Sequence, residues 1–253
     1  MKNSKLFITT LRTEAIGFAL ILLVWGIGTM IYPSYIIPSP ISVLADVNEY
    51  LPKDFSHHVL LTAGRILSGF ALSIVIGTLL GIAAYLQKWV PVLNSLMSAL
   101  QVLPGIILGV IFLLMFGLGS TVPILLITFL VLPTIAINTA NGLAKKNTAL
   151  EEYLKTVKSN KATIWKTIYL PALIPVLLSN FSLGISMSAK VVVLGEFVGS
   201  QDGLGYLLNR AQITFNMKEV FFYLIILLVF TLLIQSLVAF CSSVFFKKYF
   251  YAE

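Results

Sequence analysis

Charged residues are scarce in this chain, and their scarcity excludes a soluble fold. They make up 11% of the 253 residues, whereas hydrophobic residues make up 58%. A soluble domain carries about 25% charged residues, so this inventory cannot cover a surface that faces water. Several apolar runs exceed the roughly 18–20 residues that cross a bilayer as a helix. The composition therefore predicts an all-α, polytopic membrane protein that lies in a lipid bilayer.

The residue types and motifs that the sequence lacks exclude several kinds of functional site. Cys241 is the single cysteine, which excludes a disulfide framework and a thiolate metal site. His57 and His58 have no Cys or Glu at metal-binding spacing, and we expect them in an external loop without metal. No phosphate-binding loop or Gly-x-Ser-x-Gly motif is present. We therefore expect no catalytic residue, metal or cofactor in this chain.

The apolar runs and the basic residues together predict a topology. We expect about six spans, at about residues 15–32, 63–86, 95–117, 121–143, 171–194 and 219–246. Of the 17 Lys and Arg residues, twelve fall on the side of the N-terminus and four on the other side, where Arg65 is counted although it stands at the outer end of the second span; one, Lys190, lies deep inside a span. Cytoplasmic loops are enriched in Lys and Arg. Both termini are therefore predicted in the cytoplasm, and the net charge of +7 reflects topology rather than nucleic-acid binding.

This topology makes residues 1–253 one transmembrane domain with three long connections. The connection at about 144–170 is cytoplasmic, and those at about 33–62 and 195–218 are external. Lys2, Lys5 and Arg12 precede the first apolar run. No small-x-small cleavage site follows that run, so we expect the first segment to be retained as a helix.

Two predicted spans have a distinct pattern of residues along one face of the helix. Small residues recur every four positions in the second span, at Gly69, Ser73, Gly77 and Gly81. Such a stripe favours close helix packing in lipid, with a direct role in a pore as the alternative. In the fifth span a polar stripe runs through Ser179, Ser182, Ser186 and Lys190. A lysine at membrane depth is costly unless it faces protein or water, so this face is predicted to line a cavity or to contact a partner.

The cytoplasmic connection has the pattern of two short helices. Thr148 and Glu151 fit a capping box at the start of the first. An apolar face follows at i, i+3, i+4 and i+7, formed by Leu150, Tyr153, Leu154 and Val157. The sequence Ser159-Asn160 offers a break and a new cap, and Pro171 suits the first turn of the fifth span. A helix this short needs a surface for its apolar face, either a partner protein or lipid headgroups.

Several motifs in this chain resemble those of permeases in ATP-binding-cassette importers. Glu152, Ile168, Leu170 and Pro171 match the spacing of the loop that grips the ATPase in that family, Glu-Ala-Ala, three residues, Gly, nine residues and Ile-x-Leu-Pro. Four further segments resemble the nitrate, sulfonate and taurine group: residues 37–40 (Ile-Pro-Ser-Pro), 62–70, 116–119 and 195–205. These motifs occur in the family's order over about residues 35–210.

The resemblance implies a type I importer permease fold and a set of partners. These are two cytoplasmic ATPases that bind ATP and Mg²⁺, a second permease subunit in a homodimer, with a heterodimer as the alternative, and an external substrate-binding protein. It implies that ATPase closure switches the permease between inward- and outward-facing states. The ATPase would dock on Leu150, Glu151, Glu152, Tyr153, Leu154, Lys155, Val157, Lys158 and Ser159. The substrate would pass Ser182, Ser186, Lys190 and Glu196, and Lys190 favours a small anionic solute.

The chain departs from the family pattern at three positions of the loop. Tyr153 and Leu154 replace the two alanines, and Lys158 replaces the glycine. Glycine permits a positive φ at this turn. With lysine there, we expect either that the turn shifts to Ser159-Asn160 or that the first helix runs longer.

Alternatives remain for individual residues and for the whole chain. Lys190 could contact substrate, pair with a carboxylate such as Glu196, or snorkel. Glu196, placed just beyond the fifth span, could contact substrate or be a solvated loop acid. An ion-coupled carrier is disfavoured because no acid lies deep in a span. A CAAX-type membrane protease is disfavoured because its motif is Glu-Glu-x-x-x-Arg. After Glu151-Glu152, the position of the arginine is occupied by Thr156.

Overall fold

The structure, a computed structural model, describes residue 17 and residues 20–245, with side chains to residue 241. Within this range the chain is helical and forms no β-strand, as its composition predicts. The helices are α1 (Leu20–Ile31), α2 (Pro40–Ala45), α3 (Val47–Tyr50), α4 (Phe55–Leu86), α5 (Val90–Gln101), α6 (Gly105–Phe116), α7 (Thr121–Ala144), α8 (Thr148–Thr156), α9 (Lys161–Ile164), α10 (Leu170–Gly199), α11 (Leu204–Ile213) and α12 (Met217–Phe245). A π-helical turn, Trp165–Tyr169, joins α9 to α10.

Four of the described segments are long and apolar enough to cross a bilayer: α4, α7, the continuous stretch Lys161–Gly199, and α12 as far as Cys241. A fifth span is formed if α5 and α6 cross together, and α1 is a shorter apolar helix. The predicted first span, 15–32, begins outside the described residues. The predicted cytoplasmic termini, with Lys2, Lys5, Arg12, Lys247 and Lys248, also lie outside them.

The predicted third span, 95–117, is not one straight helix. It is divided between α5 and α6, whose axes are bent by 82°. Pro104 stands at the break with φ −62° and ψ 125°. Proline has no amide hydrogen and disfavours helical geometry in the residue before it. The expectation of a single helix was wrong because Pro104 divides the apolar run.

The described chain forms two compact units. The first comprises residues up to Phe55 together with Leu208–Ile226. In this unit Trp25 Nε1 donates to the carbonyl of Pro38 at 2.9 Å. Tyr223 OH donates to the carbonyl of Tyr50 at 2.6 Å. The connection after α1 begins without helix, and it is shorter than the predicted 33–62 because α4 begins at Phe55.

The second unit comprises Ser56–Leu207 and the chain from Leu227 onward. In it, the small-residue stripe of α4 packs on α7, as predicted for helix packing. A Cβ on Gly69 would lie 2.7 Å from Ile127, and one on Gly81 would lie 2.6 Å from Thr139. Residue numbers rise together along this contact, so α4 and α7 run parallel. The intervening α5 and α6 must therefore carry the chain back across this unit, which is the role of one span.

The helix α10 runs antiparallel to α7. A Cβ on Gly195 would meet Pro123 near the start of α7, whereas Asn180 Nδ2 donates to Thr139 Oγ1 at 3.0 Å near its end. The end of α4, the end of α7 and the start of α10 therefore lie at one end of this unit. The segment between Ala144 and Leu170 connects two of them at that end.

Candidate functional site

The helix α8 lies in the connection that the sequence singled out, but its cap differs from the prediction. Asn147, not Thr148, precedes the helix, and Asn147 Oδ1 accepts from the amide of Leu150 at 2.9 Å. Asparagine caps at least as well as threonine. Glu151 is thereby free of the capping box and turns into the protein, so the predicted capping box was wrong by one residue.

The apolar face of α8 is largely uncovered. Leu150 is 36% exposed, Tyr153 64% and Val157 57%, with Leu154 half-buried among them. Three of the four predicted apolar residues thus point away from the subunit. Glu152, Lys155 and Lys158 are exposed on the rest of the helix surface, and Ser159 is half-buried.

Lys158, which stands where the family pattern has glycine, adopts the positive-φ conformation of the turn. Its φ is +50°, and the amides of Ser159 and Lys158 donate to the carbonyls of Leu154 and Lys155, each at 3.0 Å. These two bonds form a Schellman motif, which ends a helix through one left-handed residue. The expectation that the turn shifts or that the helix lengthens was therefore wrong, because the closing bonds hold lysine in the left-handed region.

The second short helix begins as predicted, but it does not end before the fifth span, because Lys161–Gly199 is one continuous helical stretch. Asn160 Oδ1 accepts from the amide of Thr163 at 2.7 Å and caps α9. Ile168 is buried and Trp165 is 40% exposed in the π-helical turn that follows. Pro171 then occupies the first turn of α10. The loop therefore leads into the long helix without a break.

Glu151 is buried, at 7% exposure, and is surrounded by donors. Tyr169 OH donates to its Oε1 at 3.0 Å, Lys155 Nζ lies 2.7 Å from Oε1, and Lys146 Nζ donates to Oε2. The hydrogen bonds from Lys146 and Lys155 lower the pKa of Glu151 to about 2. Burial opposes a charge on Lys146, yet its hydrogen bonds to Glu151, Tyr85 and Tyr169 raise the pKa of Lys146 above its ordinary value. Both groups are therefore ionised at neutral pH.

The predicted pathway residues divide into two groups. Ser182 and Ser186 are half-buried on α10, and Lys190 is exposed on the same helix. Among the described residues, no carboxylate pairs with Lys190. Glu196, in contrast, lies inside α10, which continues to Gly199, and it is 0% exposed. The alternatives of Glu196 as a solvated loop acid, or as the partner of Lys190 in the same subunit, were therefore wrong.

Glu196 is instead paired with Arg65 of α4. Arg65 Nη1 donates to Oε1 at 2.8 Å, Thr62 Oγ1 lies 2.8 Å from Oε1, and the amide of Gly205 donates to Oε2 at 2.9 Å. Arg65 also bonds Asp202 and the hydroxyl of Ser120. This cluster lies at the end of the unit opposite to α8. Its carboxylate and guanidinium are satisfied within the subunit.

Sequence reasoning missed this cluster, and it misplaced His57 and His58, which both lie in α4 rather than in a loop. His58 lies in α4 and is buried, and its Nδ1 accepts from the amide of Gly203 at 2.9 Å. Gly203 has φ +99°, and a Cβ there would collide with the carboxylate of Glu196. The available signal was Arg65 itself: an arginine inside a predicted span requires a partner, and Glu196 flanks another span.

The second unit of the chain contains most of the region that matches a known family. The family described as "Binding-protein-dependent transport system inner membrane component" matches residues 69–247. The formylaminopyrimidine transport permease protein ThiX of Halalkalibacterium halodurans is 29% identical over 81% of this chain and 82% of its own length. The putative aliphatic sulfonates transport permease protein SsuC of Bacillus subtilis is 26% identical over 87% of this chain and 81% of its own length.

The fold is also found among solved structures. The MetNI methionine ABC transporter, solved in an inward-facing conformation, contains a chain that aligns with a TM-score of 0.63 at 20% identity, covering 75% of this chain and 94% of that one. This likeness shows the fold, that of a type I ABC importer permease. Membership of the matching family implies ATPase and substrate-binding protein partners. The chain belongs to the family of binding-protein-dependent transport system inner membrane components and is a multi-pass permease subunit of an ABC importer in the bacterial cytoplasmic membrane.

Proposed function

We propose that α8 docks on the cytoplasmic ATPase of this importer and transmits ATP-driven closure to the permease. The apolar side chains Leu150, Tyr153 and Val157 fill a groove of the ATPase. Glu152, Lys158 and Ser159 contribute polar contacts around it. ATP and Mg²⁺ are bound by the ATPase, and this chain contributes no catalytic residue.

The observation that carries this proposal is the uncovered face of α8. A helix of this length is marginal in water and needs a surface against which to pack. Tyr153 and Val157 are both more than half exposed, so the subunit itself does not supply that surface. An amphipathic face with anchors at i, i+3, i+4 and i+7 is the pattern by which a helix lies in a groove of a partner.

Affinity purification of the permease from cells that co-express its ATPase tests the docking. Tyr153→Asp and Val157→Asp each place a charge on the apolar face, and we expect ATPase recovery to fall by about tenfold or more, because each removes about 1.4 kcal/mol or more of binding free energy. Thr148→Asp is the matched control. Thr148 is exposed on the other side of α8, and an acid is favourable in a first helical turn.

Two results would contradict the docking. If wild type recovers no ATPase, the loop does not dock and its apolar face lies on lipid headgroups. If Thr148→Asp loses the ATPase as fully as Tyr153→Asp does, the loss reflects charge or misfolding rather than a specific face.

We also propose that the solute passes along Ser182, Ser186 and Lys190 between two copies of this chain. The support is that Lys190 is an exposed cation on a membrane-spanning helix, where a charge is costly unless it faces water or protein. A cation in this position favours small anionic solutes over neutral ones. SsuC is named for aliphatic sulfonates and TauC of Escherichia coli for taurine, and the sulfonate group has this chemistry.

Uptake into proteoliposomes that contain the permease, its ATPase and its binding protein tests the solute class. Ethanesulfonate and taurine serve as sulfonates, and riboflavin, after which the relative RibX is named, serves as a solute without a sulfonate. We expect uptake of the sulfonates, reduced by Lys190→Gln and not by Lys166→Gln, an exposed lysine of the π-helical turn. Uptake that is unaffected by Lys190→Gln would exclude this role.

A further inference from the structure

Glu151 and its neighbour Glu152 have opposite surroundings. Glu152 is exposed, whereas Glu151 is 7% exposed and faces the ends of the long helices. Because side chains at consecutive positions of a helix point about 100° apart, a helix that docks through one face can be held through another. The docking face is formed by apolar residues, so Glu151 is available for a different task.

The contacts of Glu151 reach three long helices through two residues. Lys146 follows α7, and its Nζ bonds Glu151 and lies 4.7 Å from the centre of the Tyr169 ring and 5.3 Å from that of Tyr85. Tyr85 is in the last turn of α4, and Tyr169 is the last residue before α10. The rings of Tyr85 and Tyr169 lie edge to face, 6.1 Å apart. One carboxylate thus connects α8 with the ends of α4, α7 and α10.

The physical character of this contact suits the transmission of movement. The side chain of Lys146 is only 10% exposed and that of Glu151 9%, so water screens their attraction weakly. Separating them would take from the buried Lys146 ammonium the carboxylate that pairs with it, which is unfavourable, whereas Glu151 would keep only Lys155, which is 62% exposed, and the hydroxyl of Tyr169. When α8 is displaced, we therefore expect the ion pair to stay closed and the ends of the long helices to move with α8.

We propose that Lys146 and Glu151 form an internal clamp that ties α8 to the ends of α4, α7 and α10, and that Glu151 is a positioning residue for energy coupling rather than a contact to the ATPase. This inference rests on the proposed docking of α8. It differs from the docking proposal in what it predicts: removal of the clamp leaves the ATPase bound and interrupts the movement beyond α8.

The test uses the complex of permease and ATPase in detergent, trapped with ATP, Mg²⁺ and vanadate. Hydrogen exchange is measured by mass spectrometry with and without trapping, at α8 and at the helix ends, residues 81–88 and 165–170. In wild type we expect trapping to change exchange at the helix ends by about fivefold or more, the lower limit of ordinary coupling between two sites.

The informative variant is the double substitution Lys146→Met, Glu151→Leu. Replacing both partners of a buried ion pair by apolar residues retains folding far better than removing one. We expect it to keep the ATPase, ATP hydrolysis and protection of α8, but to lose the response at 81–88 and 165–170. Lys145→Met, which changes the adjacent exposed lysine, should keep the wild-type response.

Three other results would contradict the proposed clamp, and each has a different meaning. An unchanged response at the helix ends of the double variant means that the pair is only structural. Loss of the ATPase from the double variant, with unfolding temperature retained, means that Glu151 acts at the docking surface. No response at the helix ends of the wild-type complex also overturns the clamp. Wild type without bound ATPase overturns the docking proposal instead.

Discussion

Arg65 and Glu196, which are 131 residues apart in the sequence, form a buried ion pair at 2.8 Å. Their side chains are 2% and 0% exposed. Such a pair does not by itself increase stability, because removing two charges from water costs about as much as their attraction returns. Its consequence is specificity: α4 and α10 can be buried here only in the register that joins these two groups.

Removing one member of this pair should destabilise the protein more than removing both. Arg65→Met leaves Glu196 buried without its cation and should cost about 3–5 kcal/mol. The double variant Arg65→Met, Glu196→Leu should recover most of that loss. Unfolding of the three proteins in detergent measures this. Additive losses in the double variant would show that the two residues do not act as a pair.

The close packing of α4 on α7 predicts a position-specific effect of alanine. A Cβ on Gly81 would lie 2.7 Å from the carbonyl oxygen of Ala136, whereas nothing lies within 4 Å of a Cβ on Gly64. Gly81→Ala should therefore destabilise by about 1–3 kcal/mol through overpacking. Gly64→Ala, on the exposed side of the same helix, should stabilise by about 0.5–1 kcal/mol. Thermal unfolding compares them, and equal effects would refute the packing argument.

Lys158 predicts a stabilising substitution in the loop. A non-glycine residue in the left-handed region carries about 1–2 kcal/mol of strain, and the φ of Lys158 is +50°. Lys158→Gly should therefore raise the stability of α8 by about 1 kcal/mol, with faster hydrogen exchange in wild type than in the variant. Thr156→Gly, which changes the last helical residue of α8, should have the opposite sign. A destabilised Lys158→Gly would mean that the lysine side chain contributes more than its backbone costs.

The ion pair of Lys146 and Glu151 predicts that the stability difference between wild type and the variant Glu151→Gln does not depend on pH near neutrality. The pKa of Glu151 falls from 4.5 to about 2, so its contribution is complete above the unfolded value and is lost as pH falls towards 2. The pKa of Lys146 is raised above 10.5, so its contribution is complete below that value and is lost at higher pH. The difference in unfolding temperature between wild type and Glu151→Gln should be constant from about pH 5 to 9. A difference that shrinks towards pH 5 would contradict this.

The local features of the loop could be predicted from the sequence, because each depends on a few adjacent residues. Two short helices, the Asn160 cap and the position of Pro171 follow from side chains that bond or constrain their own backbone. The errors there were small. Asn147 replaced Thr148 as the cap, and Lys158 took a conformation that lysine alone disfavours.

The site depends on contacts that the sequence does not contain. Nothing near Glu151 in the sequence indicates that it bonds Lys146 and Tyr169 while Glu152 faces outward. The destination of Glu196 depends in the same way on Arg65, which is brought near it only when α4 and α10 pack.

The sequence by itself determined the membrane class, the apolar segments, the loop and the family, since composition, periodicity and motif spacing are properties of the chain alone. The tertiary structure decided which charges are buried and which stay exposed. A carboxylate can be buried only where donors from other helices converge on it, and that convergence exists only in the folded protein. For this reason Lys190 remained exposed, whereas Glu151 and Glu196 became internal links.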